Sequence, residues 1–373
     1  LNLRLRTFCQ GGIVKILHVN DVAGVGYTLV AELVRLGVNA VLLVPETGGL
    51  ATLRSSRSDE RFIVRVSGRC GKRGYGIVLR LFKSRSWDLV HVHYLRAYAY
   101  AVSLLRMPYL IHAHGSDVRL AFSRGLYEGV IHRMLKKYVL KRSLKTLAST
   151  PNLVPLIKLL SPETEVSYMP NPVDMKLFSQ ENARRLSKTF THLHDGVDLL
   201  IFAPSSVNFH VKGNDLLLKA LSAMNPTATY RLIIVRHGQD LHRLLQLAEK
   251  LKLRERIRAI DPVPNELMPG LYGASDIVIG AISKRRVLSM TALESMACKV
   301  PTINTWSKEY YGDTGFPALR YGVEPLKAYL NELLENRVMR TKIANAQFKW
   351  VRRNHDSRMI AKKLIEIYEE LIL

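Results

Sequence analysis

A doubly wound α/β architecture in two domains is what this sequence predicts, on three observations. Short apolar runs alternate with amphipathic helical stretches along nearly the whole chain. The runs are continuous rather than alternating, as strands are when both faces of a parallel sheet are covered. At 373 residues the chain exceeds one ordinary core and fits two domains. Strand–helix alternation of this kind builds parallel sheets flanked by helices.

Taken in order, VKILHVN (14–20) reads as a buried strand and GYTLVAELVRLG (26–37) as a helix ended by Gly37. NAVLLVP (39–45), DLVHVH (88–93) and YLIHAHG (109–115) read as further buried strands. The second half repeats the scheme with DLLIFAPS (198–205), YRLIIVRHG (230–238), RIRAIDPV (256–263), DIVIGA (276–281) and VPTINT (300–305). Helical stretches such as NDLLLKALSAM (214–224) and DLHRLLQLAEKL (240–251) separate these strands. The polar stretch 179–197 has no apolar period and reads as a linker or insert between domains 1–178 and 198–350. A terminal helix within 351–373 puts Ile360, Leu364, Ile367, Tyr368 and Leu371 on one face, which must dock, with the first domain as its partner.

Charge is the other strong signal. The net charge is +24, and residues 1–178 hold 26 Lys/Arg against 11 Asp/Glu. Ten cations lie between Arg54 and Arg85, and HRMLKKYVLKRSLK (132–145) forms a second basic stretch. Arg69, Lys72, Arg73, Lys136 and Lys137 of these stretches are candidates for an acceptor or anionic membrane side. A merely solvated basic surface is the plain alternative. The aromatic–basic motifs of RNA-binding modules are absent, which disfavours nucleic acid as a partner. No run is long enough to span a bilayer and no apolar segment of a signal peptide precedes the first strand, so a cytoplasmic protein is expected. Cys9, Cys70 and Cys298 have neither metal-ligand spacing nor an even count, so no disulfide framework is implied.

Several strand ends carry chemistry. DVAGVGYT (21–28) sets Gly24 and Gly26 between a strand and a helix, either to let backbone come close to a ligand that helix N–H groups face or simply to make a tight strand–helix turn. It lacks the third glycine of a dinucleotide fingerprint, which argues against an NAD enzyme. HVH (91–93) and HAH (112–114) put paired histidines on one strand face. They suggest a metal-dependent hydrolase, but no carboxylate cluster accompanies them, and a polar His114 before the turn GSD is preferred. Lys212 and Gly213 precede a helix with Asn214 or Asp215 as its cap, a place that suits a phosphate-binding lysine, although for this segment alone a solvated lysine is the plainer reading. In SKRRVLSMTALESMACKVP (283–301), a helix begins near Ser289 and carries Glu294. A carboxylate there binds paired hydroxyls if it faces a cleft and is ordinary if it faces solvent.

Six segments in one order, namely DLVHVH with PYLIHAHGSD, MPNPVDMKLF, VKGNDLLLKAL, MPGLYGASDIVIG and TALESMACKVP, resemble the retaining glycosyltransferases of family four. That resemblance implies the GT-B fold, two Rossmann-like domains facing across a cleft. It implies transfer of a hexosyl or N-acetylhexosaminyl group from a nucleoside diphosphate sugar, with retention and with neither cofactor nor metal. The family pattern puts Gly24 and Gly26 near the donor phosphates, His114 beside the donor sugar, Lys212 and Gly213 at the diphosphate and Glu294 on the ribose. His114, Lys212 and Glu294 are then the catalytic candidates, and Ser289 heads the donor-site helix. A lipid-linked or glycan acceptor at the inner membrane face suits the basic first half.

Three positions depart from the pattern. Arg286 stands where the family has a second glutamate, Ser206 where it has an arginine, and Lys299 where it has a glycine. Either Arg285 or Arg286 replaces the missing cation at the diphosphate, or the chain is a weakly active or non-catalytic binder of nucleotide sugars.

Overall fold

The computed structural model describes residues 14–45, 60–66, 87–95, 97–122, 130 and 132–372. It divides into two compact units, one holding residues up to Pro172 together with Ser357–Leu373, the other Val173–Asp356.

The first unit is built on a seven-stranded parallel sheet: β1 (Lys15–Val19), β2 (Asn39–Pro45), β3 (Ile63–Val66), β4 (Leu89–His93), β5 (Tyr109–Ala113), β6 (Thr146–Ala148) and β7 (Val166–Tyr168). Its strand order is β3-β2-β1-β4-β5-β6-β7. β4 and β5 are buried at every position, which explains why their sequences run apolar without alternation. Four of the seven strands match the sequence expectation. β3, β6 and β7 escape it because each is only three or four residues long and is embedded in polar or basic sequence.

The second unit carries a five-stranded parallel sheet of β8 (Leu199–Ala203), β9 (Tyr230–Val235), β10 (Ile257–Ile260), β11 (Ile277–Ile279) and β12 (Thr302–Ile303), ordered β10-β9-β8-β11-β12. In both sheets the order reverses beside the first strand, the doubly wound arrangement whose ligands bind at strand carboxyl ends near that reversal.

Two boundaries differ from expectation. The stretch 179–197 is no linker: it forms the helix Gln180–Ser187 and a 3-10 segment Lys188–His194 inside the second unit. Its helix lies against Met268–Gly273 so closely that a Cβ on Gly273 would stand 2.3 Å from the Ala183 carbonyl oxygen. The apolar period is missing because backbone contact through glycine, not a side-chain stripe, holds the pair. At the other end, Arg337–His355 belongs to the second unit and Ser357–Ile372 to the first, where it packs on the helix Val25–Arg35. The buried face of this terminal helix is Ile360, Ala361, Leu364, Ile365 and Tyr368, with Ile367 and Leu371 only half-buried. Among the described residues no helix is long and apolar enough to cross a membrane.

Candidate active site

In the second unit, β8 leads through Ser205 and Ser206 to the short helix Phe209–Lys212, and β11 leads through Gly280 to the helix Met290–Ala297. The two loops are tied together, the Ile282 N–H donating to the Lys212 carbonyl at 3.0 Å. Gly213, at φ 66°, lies directly on Ile282, where a Cβ would stand 2.2 Å from the carbonyl oxygen. Only glycine permits that approach. The contact brings Lys212 beside the segment Ser283–Arg286.

The capping expectation needs correction. Gly213 itself is the N-cap of the helix Asn214–Ser222. Asn214 Oδ1 instead accepts from the Asn208 N–H at 2.9 Å, and Asp215 pairs with Lys219 at 3.0 Å. The left-handed turn at Gly213 starts the helix one residue early, so both side chains fall inside it.

Ser289 does cap its helix, accepting from the Ala292 N–H at 3.3 Å. Its hydroxyl also donates to Asn304 Oδ1 at 3.1 Å and meets Thr291 Oγ1 at 3.1 Å, while Thr291 meets Ser205 at 3.2 Å. This hydroxyl cluster fastens the positive end of the helix over the carboxyl ends of the strands. Glu294, one turn further on, is 2% exposed, and its Oε2 accepts from the Tyr272 hydroxyl at 3.0 Å. The solvent-facing alternative for Glu294 is therefore excluded.

The two arginines diverge. Arg285 is half-buried, burial lowers its guanidinium pKa, and no carboxylate pairs with it among the described residues. Arg286, in a left-handed conformation at φ 53°, donates from Nη2 to Ser307 Oγ at 2.7 Å. It lines a cavity of about 750 Å³ with Trp306, Lys308, Arg320 and Lys342.

In the first unit, Gly24 caps the helix Val25–Arg35 in a left-handed conformation. The helix N–H groups expected to face a ligand are already used: Gly26 and Tyr27 donate to Asp21 Oδ1 at 2.8 and 3.3 Å. A Cβ on Gly26 would stand 2.9 Å from the Asn20 carbonyl oxygen, so this glycine serves the fit of the turn. The carboxylate of Asp21 at this helix end disfavours a phosphate there.

His114 ends β5 and is held twice. Asp117, fully buried, accepts from the N–H groups of Leu95, His114, Gly115 and Val118, fixing the turn. The His114 ring meets His93 at 3.2 Å, and burial lowers its pKa to about 3. His93 is one of four fully buried histidines, with His18, His91 and His112, all on one face of the sheet and beneath Tyr368. Register makes this so: His18 pairs with His91 and His93 with His112 across parallel strands. Burial pushes all four well down, so every imidazole is neutral at pH 7.

Lys136 is not on a basic outer face. It is fully buried, and its ammonium donates to the Asp117 carbonyl, a turn of helix carrying it inward. Lys137 is exposed, as expected of the basic stretch. Arg69, Lys72 and Arg73 lie outside the described residues. His18, Asp117 and Tyr272 were missed in the sequence, and Tyr368 was read only as part of a docking face, since each acts through partners distant in the chain or through backbone groups. The short spacing of Asp117 after His114 is the one local signal among them.

Two parallel, doubly wound Rossmann-like units in one chain define the class of GT-B proteins. Residues 22–177 match Glycosyltransferase Family 4 and residues 197–350 match Glycosyl transferases group 1. The chain belongs to this group 1 / family 4 set of glycosyltransferases. It is 22% identical over 241 residues, 61% of its length, to the N-acetyl-alpha-D-glucosaminyl L-malate synthase of Bacillus anthracis, and spans 60% of that protein. It is 32% identical over 103 residues to the D-inositol 3-phosphate glycosyltransferase of Corynebacterium jeikeium, covering 26% of this chain and 24% of that one. Among solved structures, sucrose-phosphate synthase of Thermosynechococcus elongatus superposes with a TM-score of 0.76 at 15% identity, over 96% of this chain and 99% of the other. HepE of Anabaena, solved with UDP and glucose, gives 0.74 at 16% identity over 96% and 100%.

Proposed function

We propose that the chain is a retaining glycosyltransferase that moves a hexosyl or N-acetylhexosaminyl group from a nucleoside diphosphate sugar to an acceptor hydroxyl. One observation carries the reading. The Lys212–Ile282 tie gathers a lysine, a half-buried arginine with no carboxylate partner among the described residues and a capped helix N-terminus near one end of the second sheet. Charge develops on the β-phosphate as the sugar leaves, and such fixed positive groups lower the barrier to its departure. Lys212 and Arg285 serve the diphosphate, and Glu294 accepts from the ribose hydroxyls. By family resemblance His114 serves the transferred sugar. Displacement on the face of departure needs no protein nucleophile, and the cations take the place of a metal ion.

The donor class is supported by the ligands of the HepE structures, UDP and UDP-glucose. For the acceptor we propose a lipid-linked or glycan hydroxyl at the cytoplasmic face of an anionic membrane, on the excess of cations in residues 1–178. A second reading, a nucleotide-sugar binder with little turnover, is favoured by the engagement of Arg286 with Ser307 in place of the family's glutamate.

A thermal-shift panel of nucleoside diphosphate sugars tests the donor, because a ligand bound only by the folded state raises its stability. A shift with a UDP- or GDP-sugar, followed by release of the nucleoside diphosphate on adding acceptor lipid, supports transfer. A shift without release supports the binder. Absence of any shift across the panel sinks both. Co-sedimentation with vesicles that ignores anionic lipid and salt overturns the membrane proposal.

A further inference from the structure

The histidine core of the first unit has an order that the sequence gives no hint of. Tyr368 Oη lies 2.9 Å from His18 Nε2, and His18 Nδ1 lies 3.0 Å from His93 Nε2. His93 Nδ1 lies 3.2 Å from His114 Nε2. On the other arm, Tyr368 Oη lies 2.6 Å from His91 Nδ1, and His91 Nε2 lies 3.3 Å from His112 Nδ1. Every histidine-to-histidine link therefore joins a δ nitrogen to an ε nitrogen, and the phenol joins the two arms.

A neutral imidazole has one N–H and one bare nitrogen, and a hydroxyl donates once. Two arms both donating to the Tyr368 oxygen would leave its buried O–H without an acceptor, so with the phenol donating along a head-to-tail chain those rules leave two patterns. All five histidines carry the hydrogen on Nδ1, or all five carry it on Nε2. The far ends separate the two. His112 Nε2 is buried and without a hydrogen-bond partner. In the all-Nε2 pattern it would be an orphaned buried N–H, the rarer and costlier defect; in the all-Nδ1 pattern it is only a bare lone pair. At the other end, His114 is half-buried and its Nδ1 has no protein partner among the described residues, so water or ligand can satisfy an N–H there.

We infer that Tyr368, through one hydrogen-bond chain running over five histidines, fixes His114 as the Nδ1–H tautomer, a donor toward an oxygen of the bound ligand. Tyr368 is a positioning residue, acting on His114 from the terminal helix that Glu370 also anchors through Lys145 at 3.1 Å. His114 so held donates to a hydroxyl or other oxygen acceptor and offers no base at that nitrogen. That the oxygen belongs to the transferred sugar rests on the proposed function.

The rings themselves argue for a chain over a shared metal. A metal bound by imidazole lies near the plane of each ring, about 2 Å from its nitrogen. His91 and His93 are stacked with planes 10° apart and centroids 4.4 Å apart, and His112 and His114 are stacked at 27° and 4.6 Å. Each trio of histidines close enough to share an ion contains one of these stacked pairs.

Histidine-selective 15N NMR on the intact protein at pH 7.5 tests the inference without substrate. Among the signals of the twelve histidines, the five of the chain, assigned by through-bond correlation, should be neutral rings, each with a protonated-type Nδ1 and a bare-type Nε2. One or more of these five rings in the opposite tautomer overturns it, as does stoichiometric metal in the purified protein with metal-shifted signals of the same five. In Tyr368→Phe, which keeps the ring and cuts the chain, the His114 signals should move to a mixture of tautomers. Unchanged His114 signals in a folded Tyr368→Phe protein also overturn it, and if that variant does not fold the wild-type spectrum alone decides. With an active donor–acceptor pair, Tyr368→Phe should lower turnover about tenfold. Loss of turnover is read only after the spectra, so failure of the transferase reading leaves the chain itself tested.

Discussion

Arg286 donates from Nη2 to Ser307 Oγ at 2.7 Å, which commits it to the side of the second unit that holds the 750 Å³ cavity. Its neighbour Arg285 is half-buried and has no carboxylate partner among the described residues, so of the two it is the cation suited to a diphosphate. Arg285→Ala should weaken binding of the donor's nucleoside diphosphate about 10–100-fold, the loss of one charge-assisted contact to phosphate. Arg286→Ala should change it less than about threefold. Calorimetric titrations of both variants compare the two directly, and the reverse ranking would move the phosphate role to Arg286.

Gly213→Ala tests the tie between the loops. A methyl group there would meet the Ile282 carbonyl at 2.2 Å, and the left-handed φ of 66° adds strain. The variant should lose about 2 kcal/mol or more of stability, and nucleotide affinity should fall with it as Lys212 shifts. Urea melts measure the first and titration with nucleotide the second. Full affinity in the variant would mean that Lys212 does not depend on this contact.

Lys299 occupies the family's glycine position and still adopts the left-handed conformation, at φ 62° after the helix Met290–Ala297. The backbone kept the turn while the side chain changed. Lys299→Gly should therefore stabilise the protein by about 0.5–1 kcal/mol, as glycine does at such helix ends. A lower melting temperature in the variant would show that the lysine side chain contributes more than the strain it carries.

Acid should unfold the first unit early. His18 and His114 have pKa values lowered to about 3, and His91, His93 and His112 are pushed well down, all chiefly by burial. Unfolded histidines titrate near 6.5. Above that value the folded and unfolded states are both neutral here and no penalty exists. As pH falls from about 6.5 toward the folded values, the unfolded chain takes up protons that the native core refuses. Each imidazole then costs about 1.4 kcal/mol of stability per pH unit. Chemical denaturation at pH 7.5, 6.5 and 5.5 should show a fall far steeper than one histidine gives. A flat profile over that range would mean the rings are already charged or solvated in the native state.

Much of the fold was legible because burial on both faces of a sheet leaves a continuous apolar run that any single sequence displays, as in β1, β2, β4, β5 and all five strands of the second unit. The short strands β3, β6 and β7 were not, since three or four residues carry no period of their own. The stretch 179–197 misled for a related reason: its contact with Gly270 and Gly273 is made by backbone, and backbone contact leaves no hydrophobic pattern. The proposed donor-side residues Lys212 and Ser289 were singled out from their place at helix starts, and Glu294 as the carboxylate on the helix that Ser289 heads. What went astray there was local geometry, such as the cap at Gly213 and the Asp21 carboxylate that occupies the helix end behind Gly24.

The sequence by itself determined two parallel α/β units, the loops that carry the candidate donor chemistry, and the glycine and cation positions that depart from the family. Only the tertiary structure decided that Arg286 engages Ser307 while Arg285 pairs with no carboxylate among the described residues, that Lys136 is internal, and that five histidines form one chain. Those facts depend on which side chains meet across parallel strands and across some 350 residues, from His18 to Tyr368. Register and helix docking fix such meetings, and both follow from burying the whole surface at once, which no local spacing encodes.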